Sequence, residues 1–304
     1  MISSVFDKTN PINFFSVLLI FSLHYWFWEL NSADFHLDSS AVLLFVAKLA
    51  LVTFSVFLVE FTVKKNQITS KNTYAILFFI LLFGVFSAKV YALSSLVTLF
   101  FLLLALRRIL SIRSLVSIKL KIFDAALWIL VASYFNAFSL YFFIVLFLAI
   151  YFYQYNKLKN WLSILIALGT YVLLLAAYLG IDEFKQFLAT HYQIGLSFHS
   201  FEWNSGLLKL LLVLFFSLIA AMVTYRGLSR SLMGRLISVR LVLISFLIAA
   251  VIVVSKNQDQ HQLVLLLFPA SVLLANALES IRRVWVKDVL LITLAVMPFI
   301  WNTL

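Results

Sequence analysis

Apolar runs broken only by short polar segments extend from Phe14 to Trp301, and this pattern leaves the chain few choices of fold. A helix satisfies its backbone N–H and C=O groups within its own segment, so apolar runs that lie in lipid become helical unless they close into a barrel. Eleven runs can be bounded, at 14–30, 41–63, 73–88, 90–106, 123–138, 139–153, 161–181, 207–224, 239–255, 263–278 and 289–301. A crossing takes roughly 17 to 25 residues. The pattern predicts an all-α, polytopic transmembrane helical bundle of about eleven spans, one integral membrane unit over residues 1–304.

Some of these runs are short, and merging neighbours is the alternative. Thr73 to Leu106 as one helix would hold 34 residues, about 51 Å at 1.5 Å per residue, against a hydrocarbon core of about 30 Å. A turn is therefore expected near Ser87, Ala88 and Lys89. The same argument divides Phe123 to Tyr153 at Asn136 to Ser139, the polar interruption of that stretch. Two short hairpin helix pairs result.

Charge orients this layout. Cytoplasmic loops of membrane proteins are enriched in Lys and Arg, and in the eleven-span arrangement 18 of the 23 basic residues fall on one side. They are Lys8 and the clusters at Lys64 to Lys71, Arg107 to Lys121, Lys157 and Lys159, Arg226 to Arg240, and Arg282 to Lys287. Lys89, Lys185 and Lys256 fall on the other side, with seven of the twelve acidic residues. The N-terminus is expected in the cytoplasm and the C-terminus outside, the first span acting as an uncleaved signal anchor of a multi-pass inner-membrane protein.

Composition excludes several classes of function. Hydrophobic residues make up 64% and charged residues 12% of the chain, about half the charged share of a soluble domain. The net charge of +11 follows from the loop asymmetry, and nothing supplies the soluble basic face with stacking aromatics that nucleic acid requires. With no Cys, disulfides, thiolate metal sites and cysteine nucleophiles are impossible. Seven Gly and three Pro do not suggest the broken helices of many secondary transporters.

Chemistry has one compartment in which to gather. All five histidines (His24, His36, His191, His199 and His261) fall on the outer side, with Glu29, Asp34, Asp38, Glu202 and Asp259. Either they are ordinary polar loop residues, or they converge over the bundle as acids and bases. No HExxH spacing supports a metal, and no GxSxG marks a serine nucleophile. Neither metal nor other cofactor is expected.

Lys48 lies well inside the second run, where a charge either serves function or snorkels to the interface. Lys209 sits a turn inside its run, where snorkelling is the simpler account. With Lys89 and Lys256, these lysines form a candidate cationic pocket for a lipid-borne phosphate. In the largest outer loop, Phe184, Phe187, Leu188 and His191 share helical spacing, which predicts a short interfacial helix. At the basic side, Glu60 and Lys64 read as a local i,i+4 pair, and Asp124 and Glu279 as carboxylates neutralised by neighbouring Arg.

Three stretches carry a resemblance: "FDKTNPINFF", "FFLLLALRRILSIRS" with "KIFDAALWILVASYFNAFSLYFFIVLFLAIYFY", and "KNQDQHQLVLLLFPASVLLANALES". Together they resemble an uncharacterised family of polytopic inner-membrane proteins of Bacteroidota. More distantly, they resemble GT-C type integral-membrane glycosyltransferases, with a basic loop before a helical hairpin and a late polar turn running into "LLLFP". That resemblance implies an acidic catalytic base after the first span, Asp34 with Asp38 or Glu29 as substitutes. It also implies that Lys256 or His261 lies near the phosphate of a polyprenyl-phosphate-linked sugar. The first outer loop, 31–40, is much shorter than in such enzymes. The expected function is outer-leaflet handling of a lipid-linked sugar; the alternative is a non-catalytic subunit that stabilises or assembles a larger envelope or secretion complex with other inner-membrane proteins.

Overall fold

The computed structural model describes residues 2–7, 10–30, 39–70, 72–85, 91–154, 157–193, 195, 205–228, 233–255 and 260–302. Among these, thirteen α-helices and no strand are found. They are α1 (Ile2–Phe6), α2 (Pro11–Leu30), α3 (Ser39–Asn66), α4 (Tyr74–Val85), α5 (Leu93–Ser111), α6 (Ile118–Phe135), α7 (Phe143–Gln154), α8 (Leu158–Leu179), α9 (Ile181–His191), α10 (Ser205–Leu228), α11 (Met233–Ser255), α12 (Val264–Ser280) and α13 (Val284–Asn302).

Each of the eleven apolar runs falls largely on a helix, yet among the described residues six segments, not eleven, are long and apolar enough by themselves to cross a membrane. These are Ala41–Asn66, Leu93–Ser114, Leu158–Leu179, Leu208–Gly227, Arg235–Ser255 and His261–Ser280. Ile12–Leu23, Tyr74–Val85 and Ala137–Tyr153 are shorter apolar helices. The helix α6 carries Lys119, Lys121 and Asp124 in its first two turns, which dilutes its hydropathy.

Packing centres on α4 and α12, which lie against one another. All twelve residues of α4 are buried, as a helix apolar on every side must be when it stands at a centre. The helices α10 and α11 flank α12, and α2 and α3 flank α4. From α3 a row continues through α5 and α6 to α8. One contiguous apolar cluster joins these elements, from Phe6 to Leu291.

The outer flanks are apolar too. On α8, Leu165, Leu173 and Leu174 are exposed, and on α3 so are Leu43, Val46, Phe54, Phe57 and Phe61. Such continuous strips are not tolerated in water. Lipid or another apolar surface covers them.

The division of Phe123 to Tyr153 has a clear local cause. Asn136 leaves the helical region at φ −148°, and its side chain accepts a hydrogen bond from the Phe138 N–H. A 3₁₀ segment, Ala137–Phe142, then leads into α7. The other expected turn, Ser87 to Lys89, lies outside the described residues.

Candidate functional site

Among the described residues, the elements that meet at the end of the bundle opposite the basic loops are joined by polar groups other than carboxylates and ammonium groups. At the C-terminus of α6, Asn136 is buried, and its Nδ2 donates to Gln262 Oε1 at 2.8 Å. Gln262 belongs to the 3₁₀ turn Gln260–Leu263, which opens directly into α12. In the same turn, His261 Nδ1 stands 2.8 Å from Ser95 Oγ, at the start of α5. Three elements distant in sequence are thereby tied together by two hydrogen bonds.

A second histidine arrives on α9. Its Phe184 and Phe187 pack on a small cluster of Leu130, Tyr171 and Leu175, and Phe187 stacks on the His191 ring with centroids 4.6 Å apart. The expected face is thus largely present, except that Leu188 is exposed. His191 Nε2 lies 2.8 Å from the Ser133 carbonyl oxygen. A carbonyl can only accept, so that ring nitrogen carries the proton. Tyr192 extends the network, its hydroxyl 2.9 Å from Tyr171 OH and 3.1 Å from Ser133 Oγ.

Both histidines line one cavity of about 250 Å³, with Ser95, Thr98, Asn136 and Gln262. Its described lining also includes Phe135 and Phe138, and contains no Asp, Glu, Lys or Arg. His191 Nδ1 and His261 Nε2 have no hydrogen-bond partner among the described residues, so each ring keeps one nitrogen for a ligand. Among the described residues, no three His, Asp or Glu side chains are grouped to hold a metal ion.

The candidate residues read from sequence are distributed unevenly over this end. His261 borders the cavity and is joined there by His191, which the spacing of the outer loop placed on a helix face without assigning it a site. Asp34, Asp38 and Lys256 lie outside the described residues, as do His36 and His199. Lys48 and Lys209 are half-buried and engage neighbours, but neither is among the cavity's lining. They stand on α3, packed on α4 and α5, and on α10, packed on α11 and α12. The two lysines therefore belong to different faces of the bundle.

Asn136, Gln262 and Ser95 could not be found as a site from sequence alone. Asn136 was legible as a helix break, but its partner lies 126 residues away. No family model, curated protein or solved structure matches this chain.

Proposed function

We propose that this chain is a multi-pass inner-membrane protein whose histidine-lined cavity holds the polar head of a lipid-linked sugar phosphate at the outer leaflet. The observation that carries the reading is the convergence of His191 and His261 on one cavity with Asn136, Gln262 and Ser95. Imidazoles act as proton donors, proton acceptors or partners of a phosphate oxygen. Carboxamides match the donor and acceptor hydroxyls of a sugar. The rings of Phe135 and Phe138 offer an apolar wall at the same mouth.

In this reading the chain crosses about eleven times, with the short helices paired as hairpins, the N-terminus in the cytoplasm and the C-terminus outside. Loop charge supports that orientation. Because the chain has no Cys, single cysteines placed at Ser114 and at Thr190 can be challenged in intact cells with a membrane-impermeant thiol reagent. Labelling at Thr190 with protection at Ser114 is expected, and the reverse would overturn the orientation.

The substrate reading is tested by native mass spectrometry of the protein purified with polyprenyl-phosphate sugar. His191→Ala and His261→Ala should each release the ligand, while equal retention of an uncharged polyprenol would defeat the assignment. If transfer occurs, Asp34 or Asp38 is the proposed base. An unaltered envelope glycan in Asp34→Asn with Asp38→Asn would leave no role for them. A stoichiometric protein partner with no bound lipid would favour the non-catalytic subunit instead.

A further inference from the structure

At the basic end, α6 and α8 run side by side in the same direction and start together. The first N–H groups of a helix have no intrahelical acceptor and carry the positive end of its dipole. Between these two N-termini lies a groove of about 340 Å³, lined by Ser117, Ile118, Lys119, Leu120, Lys157 and Asn160. Ser117 and Lys157 are the N-cap residues of the two helices, and neither makes a side-chain cap hydrogen bond.

Asn160 is the feature that packing does not account for. It is 2% exposed, and its Nδ2 has no hydrogen-bond partner among the described residues. A buried amide donor left unmatched is costly, and such a group calls for an explanation. It borders the groove, where an acceptor bound between Lys119 and Lys157 would satisfy it. Both lysines are exposed, and the nearby carboxylate Asp124 is already paired with Arg108 at 2.9 Å. The groove therefore suits an anion.

What continues away from the groove points to the source of that anion. Leu158, 79% exposed, begins a strip of exposed alkyl side chains along α8 through Leu162, Leu165, Ile166 and Leu173. Leu115, Val116 and Leu120 are exposed beside the groove's other wall. A charged head between two helix N-termini, with an apolar track leading from it along the bundle, matches a phospholipid. A free phosphate would use the head site alone.

We infer that the groove at Ser117, Lys119, Lys157 and Asn160 binds the phosphate of an anionic phospholipid, whose acyl chain lies along the exposed face of α8. Two N-termini and two ammonium groups attract the phosphate, and the Asn160 amide gives it a fixed hydrogen bond. This site is independent of the histidine cavity and of any reaction there.

Native mass spectrometry of the full chain, with phosphatidylglycerol and phosphatidylcholine offered together, tests it. Wild type should retain phosphatidylglycerol selectively, and Lys119→Gln with Lys157→Gln should weaken that retention by roughly thirtyfold. Arg282→Gln removes an equally exposed charge from the same end and should leave it intact. An equal loss there would reduce the effect to diffuse attraction and overturn the site. Asn160→Leu should lower retention without lowering the melting temperature, since it replaces an unmatched amide by an alkyl group. Unchanged retention in that variant would remove the amide from the site and sink the proposal. Protection against thermal unfolding by inorganic phosphate equal to that by phosphatidylglycerol would assign the groove to free phosphate and overturn the lipid.

Discussion

The two ends of the bundle satisfy their polar groups in opposite ways. At the basic end several of the bonds that join distant elements are charge-assisted, and one carboxylate gathers most of them. Glu279, at the close of α12, accepts from Ser70 N and Ser70 Oγ at 2.8 Å and from Asn72 Nδ2 at 2.7 Å, with Arg235 at 3.8 Å. Among the described residues, the joining bonds at the histidine end run between imidazole, carboxamide, hydroxyl and carbonyl groups. A carboxylate that collects several donors fills its own coordination and closes the structure around it. Neutral pairs leave lone pairs and ring nitrogens over, so the second end keeps capacity for a ligand.

Removing the hub of the charged end should have the largest effect. Glu279→Ala leaves Ser70, Asn72 and Arg235 without their shared acceptor, and its carboxylate is only 14% exposed. A loss of about 2–4 kcal/mol is expected, read as a lower midpoint of thermal unfolding in detergent. Glu279→Gln retains one acceptor oxygen and should lose less. Equal stability of wild type and Glu279→Ala would show that solvated loops, not this hub, close the basic end.

The neutral end should respond next, and with a different signature. Asn136→Ala strands the buried Gln262 amide, at a cost of about 1–3 kcal/mol. Replacing both, as Asn136→Leu with Gln262→Leu, removes the polar pair and its desolvation together. The double variant should recover much of the single variant's loss, measured as a coupling energy in a double-mutant cycle. Additive losses would mean that the two amides are satisfied separately.

This contrast also separates what could be read in the sequence from what could not. Apolar runs marked nearly every helix, because the burial of a helix in lipid or in a core depends on its own residues. The division at Asn136 was legible for the same reason, since a capping amide acts on the backbone beside it. The Glu60 pair with Lys64 and the Arg108 pair with Asp124 were likewise near at hand in sequence or in an adjoining loop. Glu279 was expected to be neutralised by Arg282 and Arg283, which follow it. Its partners instead come from α11 and from the turn before α4, brought in by the packing of α12 on α4. His191 and His261 meet for a similar reason: α9 folds back on α8 and α6, while the turn before α12 meets α5 and α6. A one-dimensional pattern carries periodicity and side, but not which loops are neighbours.

Smaller effects are expected where charge meets water. Arg108 and Asp124 are 40% and 30% exposed, so their pair should contribute less than about 1 kcal/mol. Asp124→Asn should shift the unfolding midpoint little, and less in high salt. A loss as large as that of Glu279→Ala would place this pair in a much less polar setting and narrow the difference between it and the hub.

The smallest effect is a pH dependence at the N-terminal helix. Ser3 N donates to Asp288 Oδ1 at 2.7 Å, joining α1 to α13, and this backbone N–H holds the Asp288 carboxyl below the usual carboxylate range. A depressed pKa in the folded state means that the fold favours the charged form. The contribution is therefore complete above the ordinary carboxylate range and is lost as the pH falls through the lowered value. A fluorophore on a cysteine introduced at Val5, which is exposed, should report loosening of α1 in that acidic window. Asp288→Asn cannot ionise, so its signal should stay flat there. Acid loosening that persists in Asp288→Asn would move the titration to another carboxylate, whereas the bond from the Tyr74 hydroxyl to Ser3 O at 2.8 Å does not change with acid and would hold α1 in both proteins.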